Sequence, residues 1–207
     1  DSGGHNIWAE STPRLNVACM QVDSLEHIYM TGYIDTNVIL GPDTLINHGL
    51  ESYFLVKYDS SGHVIWARTA AGTARDKGIT IGFDVCGSVW VFGGMAGSGF
   101  TGYMLDFDGH TVFHPLIIGD PAFLVSYDVA GNFLSGISLR SGGEDGSGGI
   151  VFDSHSNLYI VGDYAFDMVI GPDTLYTTAA AEALFIAKYT YDTAGCAMYT
   201  LPATSLK

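Results

Sequence analysis

The carboxylates of this chain gather in short acidic turns, and those turns are where its side chains could do chemistry. Asp106-Phe-Asp-Gly-His110 and Asp59-Ser-Ser-Gly62 set carboxylate oxygens beside small residues, the donors that a hard cation such as calcium prefers. Asp106 and Asp108 are calcium candidates on that ground. A full EF-type loop needs a longer Asp/Asn ladder and a closing Glu, and neither follows here. The competing reading is hairpin chemistry, because Asp before small residues and Gly closes a tight turn by accepting backbone hydrogen bonds. That is the expectation, with no cofactor assigned and calcium kept as the alternative. Glu144 and Asp145, in the Gly-rich stretch Ser141 to Gly149, read as a solvated loop or as a ligand clamp. His110 and His114 would chelate a metal on a helix, but on a strand their spacing is about 13 Å. Tyr33, Tyr103 and Tyr164 could stack on sugars, and packing between sheets is the competing use of such rings. No G-x-S-x-G element or Gly-rich phosphate loop occurs, and Ser98 lacks a strand-turn-helix setting. No residue is assigned a catalytic role.

The elements that must position these groups are hairpins, and they repeat. Phe54-Leu-Val-Lys-Tyr-Asp-Ser-Ser-Gly-His-Val-Ile-Trp-Ala67 alternates apolar residues, turns, and continues in a β-branched and aromatic run. It recurs as Phe123 to Phe133 and as Phe185 to Thr190, and its second half stands alone as Gly4-His-Asn-Ile-Trp-Ala9. A second hairpin covers Leu15 to Tyr33, Gly78 to Gly94 and Gly148 to Asp163. Its markers Asp23, Asp84 and Asp153, and Gly32, Gly93 and Gly162, are 61 and then 69 residues apart. Between the two hairpins lies Ile39-Leu-Gly-Pro-Asp-Thr-Leu45, repeated as Val169 to Leu175 and replaced in the middle by Tyr103 to Val112; each is expected to be an excursion holding one short strand pair. Residues 1–9 read as the closing strand of a preceding unit.

Composition bounds the function. Only 8 Lys and Arg face 22 Asp and Glu, a net charge of −14, which argues against nucleic acid and anionic membrane surfaces. No apolar run approaches the roughly 18 to 20 residues that span a bilayer. Asp1-Ser-Gly-Gly4 has no basic start or apolar core of a signal peptide, as expected of a mature or excised chain. Cys19, Cys86 and Cys196 have no CxxC spacing, and the first two are expected to be buried thiols acting as small hydrophobes.

Two hairpins per unit make four antiparallel strands in roughly 60 to 70 residues, and such units repeated along a chain are the blades of a β-propeller. The expected fold class is all-β: one repeat region over residues 1–207, with units near 10–67, 68–136 and 137–200 and a linker at 201–207. About three blades do not close a ring, since propellers usually have at least four. The ring is therefore part of a larger propeller or is completed by oligomerisation.

The pattern carried by Phe54, Lys57, Tyr58, Asp59, Gly62 and Trp66, then Asp153, Asn157, Tyr159 and Gly162, then Asp173-Thr-Leu175, resembles the SBBP-type β-propeller repeats of secreted bacterial proteins. The resemblance covers nearly the whole chain. The middle unit departs from it, with Ser126 in place of Lys and Ser135-Gly136 in place of Trp-Ala, so that blade is expected to be distorted. Leu201 to Lys207 resembles the segment that joins such propellers to a gliding-motility-type C-terminal sorting domain. What the resemblance implies is a secreted or cell-surface protein of Bacteroidetes type, exported by type IX secretion, with no catalytic residues to carry over. The expected function is a non-catalytic binding or display module that engages protein or glycan partners through its loops. The alternatives are part of an extracellular glycan-active enzyme, or a structural spacer.

Overall fold

The computed structural model describes residues 3–4, 7–12, 14–72, 75–96, 103–114, 121–141, 148–170, 172–177 and 183–190. All regular structure among them is β. The first sheet is a meander of β1 (Asn16–Val22), β2 (Ile28–Ile34), β5 (Ser52–Tyr58) and β6 (Val64–Thr69), with β3 (Val38–Leu40) and β4 (Asp43–Leu45) forming a separate pair. The second repeats it with β7 (Arg75–Phe83), β8 (Val89–Ala96), β11 (Ala122–Tyr127) and β12 (Phe133–Ser141), and its inserted pair is β9 (Tyr103–Phe107) with β10 (His110–His114). The third has β13 (Gly149–Phe152), β14 (Leu158–Tyr164) and β17 (Ala183–Tyr189), and its inserted pair β15 (Asp167–Ile170) and β16 (Asp173–Tyr176) joins the edge of β12. Every named strand pairing is antiparallel. The hairpins and inserted pairs thus lie where the repeats place them.

The sheets stack through alternate residues. On the first sheet Tyr29, Tyr53, Leu55 and Trp66 face the second, whose Ile81, Val89, Val91, Phe123, Val125 and Tyr127 complete one core with Leu105 and Phe107. The opposite parity of the second sheet, including Trp90, Phe92 and Leu124, packs on Ile150, Leu158, Ile160 and Phe185 of the third. A third cluster, with Phe54, Val56 and Tyr58, lies on the far face of the first sheet beneath β3 and β4. Period-two alternation delivers one face to each neighbour, and aromatic edges meet faces across the junctions, as in Tyr53 with Phe123 at 5.5 Å.

The inner hairpins share a defect that fits them together. The β1–β2 register shifts between Val17 and Cys19, and the β7–β8 register shifts between Gly78 and Thr80. Gly32 and Gly93 stand opposite Val17 and Gly78 at these bulges. A Cβ on Gly32 would meet the Asn16 carbonyl, and one on Gly93 would meet the Phe123 ring and the Lys77 carbonyl. Glycine is therefore required at these strand positions by close approach.

Three expectations need correction. Residues 7–10 are not a strand, because no described strand lies beside them to complete a ladder. The middle sheet keeps the four-stranded meander despite its substitutions: β7 and β12, at 9 residues each, are its longest strands, and Ser126, in place of Lys, is buried. Cys86 is not a thiol in a strand but is disulfide-bonded in the β7–β8 turn, whereas Cys19 is free and partly buried.

Candidate binding face at the turn-bearing end

In a four-stranded meander the first and third turns fall at the same end. Five such turns, opened by Asp23, Asp59, Asp84, Asp128 and Asp153, are built alike. In each, one carboxylate oxygen accepts the N–H groups two and four residues on: Leu25 and His27, Ser61 and His63, Cys86 and Ser88, Ala130 and Asn132, His155 and Asn157, all at 2.8–2.9 Å. The second oxygen takes a side chain: Nδ1 of His27 or His63, Nδ2 of Asn132 or Asn157, or the Trp90 indole. At Asp23, Asp59, Asp128 and Asp153 these bonds favour the ionised form. The Asn157 amide, with the N–H groups of Asn157 and His155, pulls the Asp153 carboxyl down to about 2. At Asp128 burial opposes the shift, but the Asn132 side chain and the turn amides hold the carboxyl below its ordinary value.

Neighbouring sheets clasp these turns. The Val129 carbonyl, in the β11–β12 turn, accepts Lys57 Nζ and Trp66 Nε1, each at 3.2 Å, and the Gly131 carbonyl accepts Arg68 Nε at 2.8 Å. The Ser156 hydroxyl, in the β13–β14 turn, receives the Val85 N–H at 3.0 Å. Trp8 does to the β5–β6 turn what Trp66 does to the next: its indole N–H donates to the Ser60 carbonyl at 3.0 Å. Gly62 and Gly131, both at positive φ, pass beneath the Trp8 and Trp66 rings.

Beside the clasp at Gly131 a cleft of about 410 Å³ opens between the first two sheets. Asp43, from the Gly-Pro-Asp-Thr-Leu insertion, accepts the Ala67 N–H at 2.7 Å and faces Arg68 Nη1 at 3.4 Å. Arg68 is further held by its own neighbour's carbonyl, Ala67, and lies over the Trp66 ring. Asp108, His110, Asn132 and Phe133 line the other side, with the His110 ring stacked on Phe133 at 4.6 Å. The cleft therefore presents a fixed cation, a carboxylate, an amide and an imidazole over an aromatic floor.

The sequence-derived candidates divide. Asp106 accepts the Gly109 N–H at 2.8 Å and so serves its own turn, while Asp108 reaches the cleft at positive φ. Among the described residues no group of three His, Cys, Asp or Glu could hold a metal ion. Tyr103 and Tyr164 are buried in the first and second junctions, which corrects their reading as sugar platforms: their parity points them between sheets. Tyr33 is half-exposed under Lys77 Nζ, 4.6 Å from its ring centre. Glu144 and Asp145 lie outside the described residues. Sequence reasoning missed Arg68 and Asn132; the signal was one of only 8 basic residues directly after the Trp-Ala pair.

Antiparallel meanders stacked face to face, each unit contributing the same hairpins and turns, are propeller blades; the chain is an all-β, β-propeller repeat protein. Over 220 aligned residues it is 28% identical to an uncharacterized WD repeat-containing protein of Acanthamoeba polyphaga mimivirus, a match covering 89% of this chain. The chain spans 16% of the length of that relative. No protein-family model matches the chain.

Proposed function

We propose that this chain is a non-catalytic binding and display module of a secreted or cell-surface protein of the SBBP propeller type, and that a protein partner docks at the turn-bearing end, in the Arg68–His110 cleft. The observation that carries the reading is the fixation of the cleft's groups. Arg68 is held by Asp43 and the Gly131 carbonyl, so a partner meets donors and acceptors that are already ordered, and the entropy cost of binding is reduced. The match to a WD repeat-containing protein supports the propeller as a scaffold for interaction. The Cys86 disulfide supports an oxidising compartment, where such bonds persist. A glycan is the second reading, favoured by the His110–Phe133 stack as a platform for a sugar ring.

The test is selection from a displayed random-peptide library on the wild-type chain, followed by counter-binding to the Asp108→Ala/His110→Ala variant. Peptides that lose affinity for the variant support the cleft. Peptides that bind both proteins equally remove it. Turnover of any member of a polysaccharide panel by the wild-type chain would overturn the non-catalytic reading.

A further inference from the structure

The third sheet carries, on its outward face, the lysine–tyrosine pair that the first sheet buries against the second, with apolar residues around it. Lys57 lies directly across from Tyr29, its ammonium 5.2 Å from the ring centre. Lys188 lies directly across from Tyr159 in the same relation, at 5.3 Å. Thr31 and Leu55 correspond to Val161 and Ile186, and Tyr53 to Leu184, by register. On the first sheet these residues are sealed by the second sheet, and Lys57, only 4% exposed, reaches the Val129 carbonyl. On the third sheet Leu184, Ile186 and Val161 are 72%, 70% and 36% exposed, and Lys188 is exposed.

The first sheet shows the complementary half. Its far face presents Met20, Val22, Ile28 and Met30, which match by register Ile81, Phe83, Val89 and Val91 of the sealed junction. Met20 and Val22 are 58% and 53% exposed. The turn on that side has half of its clasp. Val129 O accepts both a lysine and a tryptophan, whereas the equivalent Ser60 O accepts the Trp8 indole and, among the described residues, no lysine. The Ser60 carbonyl of the first sheet's turn has no lysine donor among the described residues, and the third sheet displays an exposed lysine over a tyrosine.

We propose that the outward face of the third sheet binds the far face of the first sheet of a second copy of this chain, with Lys188 Nζ donating to the partner copy's Ser60 carbonyl. The junction continues the established one between the first two sheets. It is a head-to-tail contact, and such contacts generate a closed ring when the rotation closes. Here two copies of three sheets each would close it. This goes beyond the cleft reading and stands or falls separately from it.

The experiment is light scattering after size-exclusion chromatography at micromolar concentration, with wild type, Ile186→Glu, Met20→Glu and the control Met104→Glu, an exposed residue of β9 in the inserted pair of the second sheet. Wild type and Met104→Glu are expected at about twice 22.1 kDa; Ile186→Glu and Met20→Glu are each expected at the monomer mass with unchanged thermal melts. Because each variant keeps one sound face, an equimolar mixture of the two should recover dimer. A monomeric wild type overturns the proposal. So does a dimer that survives Met20→Glu, which would mean third sheet against third sheet, or a mixture that stays monomeric.

Discussion

Asp76 offers a quantitative test of how the first two sheets are sealed. Its backbone N–H donates to the Glu51 carbonyl at 2.9 Å, and its side chain packs against Gly72 beside Leu105. It is 2% exposed, and Oδ2 has no hydrogen-bond partner. Desolvation alone raises its carboxyl to about 7, against about 3.9 in an unfolded chain. The native state therefore binds the proton more tightly, and stability is full below about pH 4 and falls as pH rises towards 7. A rise of about three decades corresponds to about 4 kcal/mol in total, of which roughly 3 kcal/mol falls between pH 5 and pH 8. Urea unfolding of wild type and Asp76→Asn at both pH values isolates this group, since other titrations are common to the pair. The variant should gain on wild type by roughly 3 kcal/mol from pH 5 to pH 8. Parallel pH dependence in the two proteins would refute the argument, because the carboxyl would then be solvated or paired in the native state.

Three further outcomes follow from the geometry. Gly93→Ala should lower stability by at least about 2 kcal/mol, because the added methyl meets the Phe123 ring and the Lys77 backbone. Gly94→Ala, whose nearest neighbour would be Ile79 Cδ1 at 3.9 Å, should change it by less than about 1 kcal/mol; urea midpoints compare them. Asp128→Ala removes the acceptor of two turn amides and the Asn132 amide and should cost about 1–2 kcal/mol, with faster hydrogen exchange at Ala130 and Asn132. Thiol titration of the denatured, unreduced chain should find one reactive cysteine of the three and three after reduction; three before reduction would count against the disulfide.

Local chemistry made the hairpins legible, and non-local parity hid what lies between them. Asp before small residues and Gly, flanked by alternating apolar runs, specifies a turn within five residues, so Asp59 to His63 and its four counterparts could be read without neighbours. The Gly-Pro-Asp-Thr-Leu insertions announced short strand pairs for the same reason. Which face of a strand meets another sheet is not written in that strand. Nothing within their own strands marks Lys57 and Asp76 as buried, yet both are. Tyr103 and Tyr164 read as candidate platforms, yet one register step sets them inside the junctions. The match of Gly4–Ala9 to Gly62–Ala67 suggested a closing strand; the structure shows that what the two share is the indole bond of Trp8 and Trp66 to a turn carbonyl. The cleft was the least legible, because Asp43, Arg68, His110 and Asn132 converge from four separate elements.

The clasp of a turn by the preceding sheet's tryptophan bears on how such a chain grows. The fastener sits at the end of one unit and its socket in the next, so a duplication of one unit copies both parts together. A copied unit that keeps its tryptophan arrives with a socket for the unit before it and a fastener for the unit after it, whereas the middle unit, with Ser135-Gly136 in that place, has no tryptophan fastener. Lengthening therefore demands no newly invented contact surface. Trimming at a unit boundary, by contrast, strands a fastener at one end and an empty socket at the other.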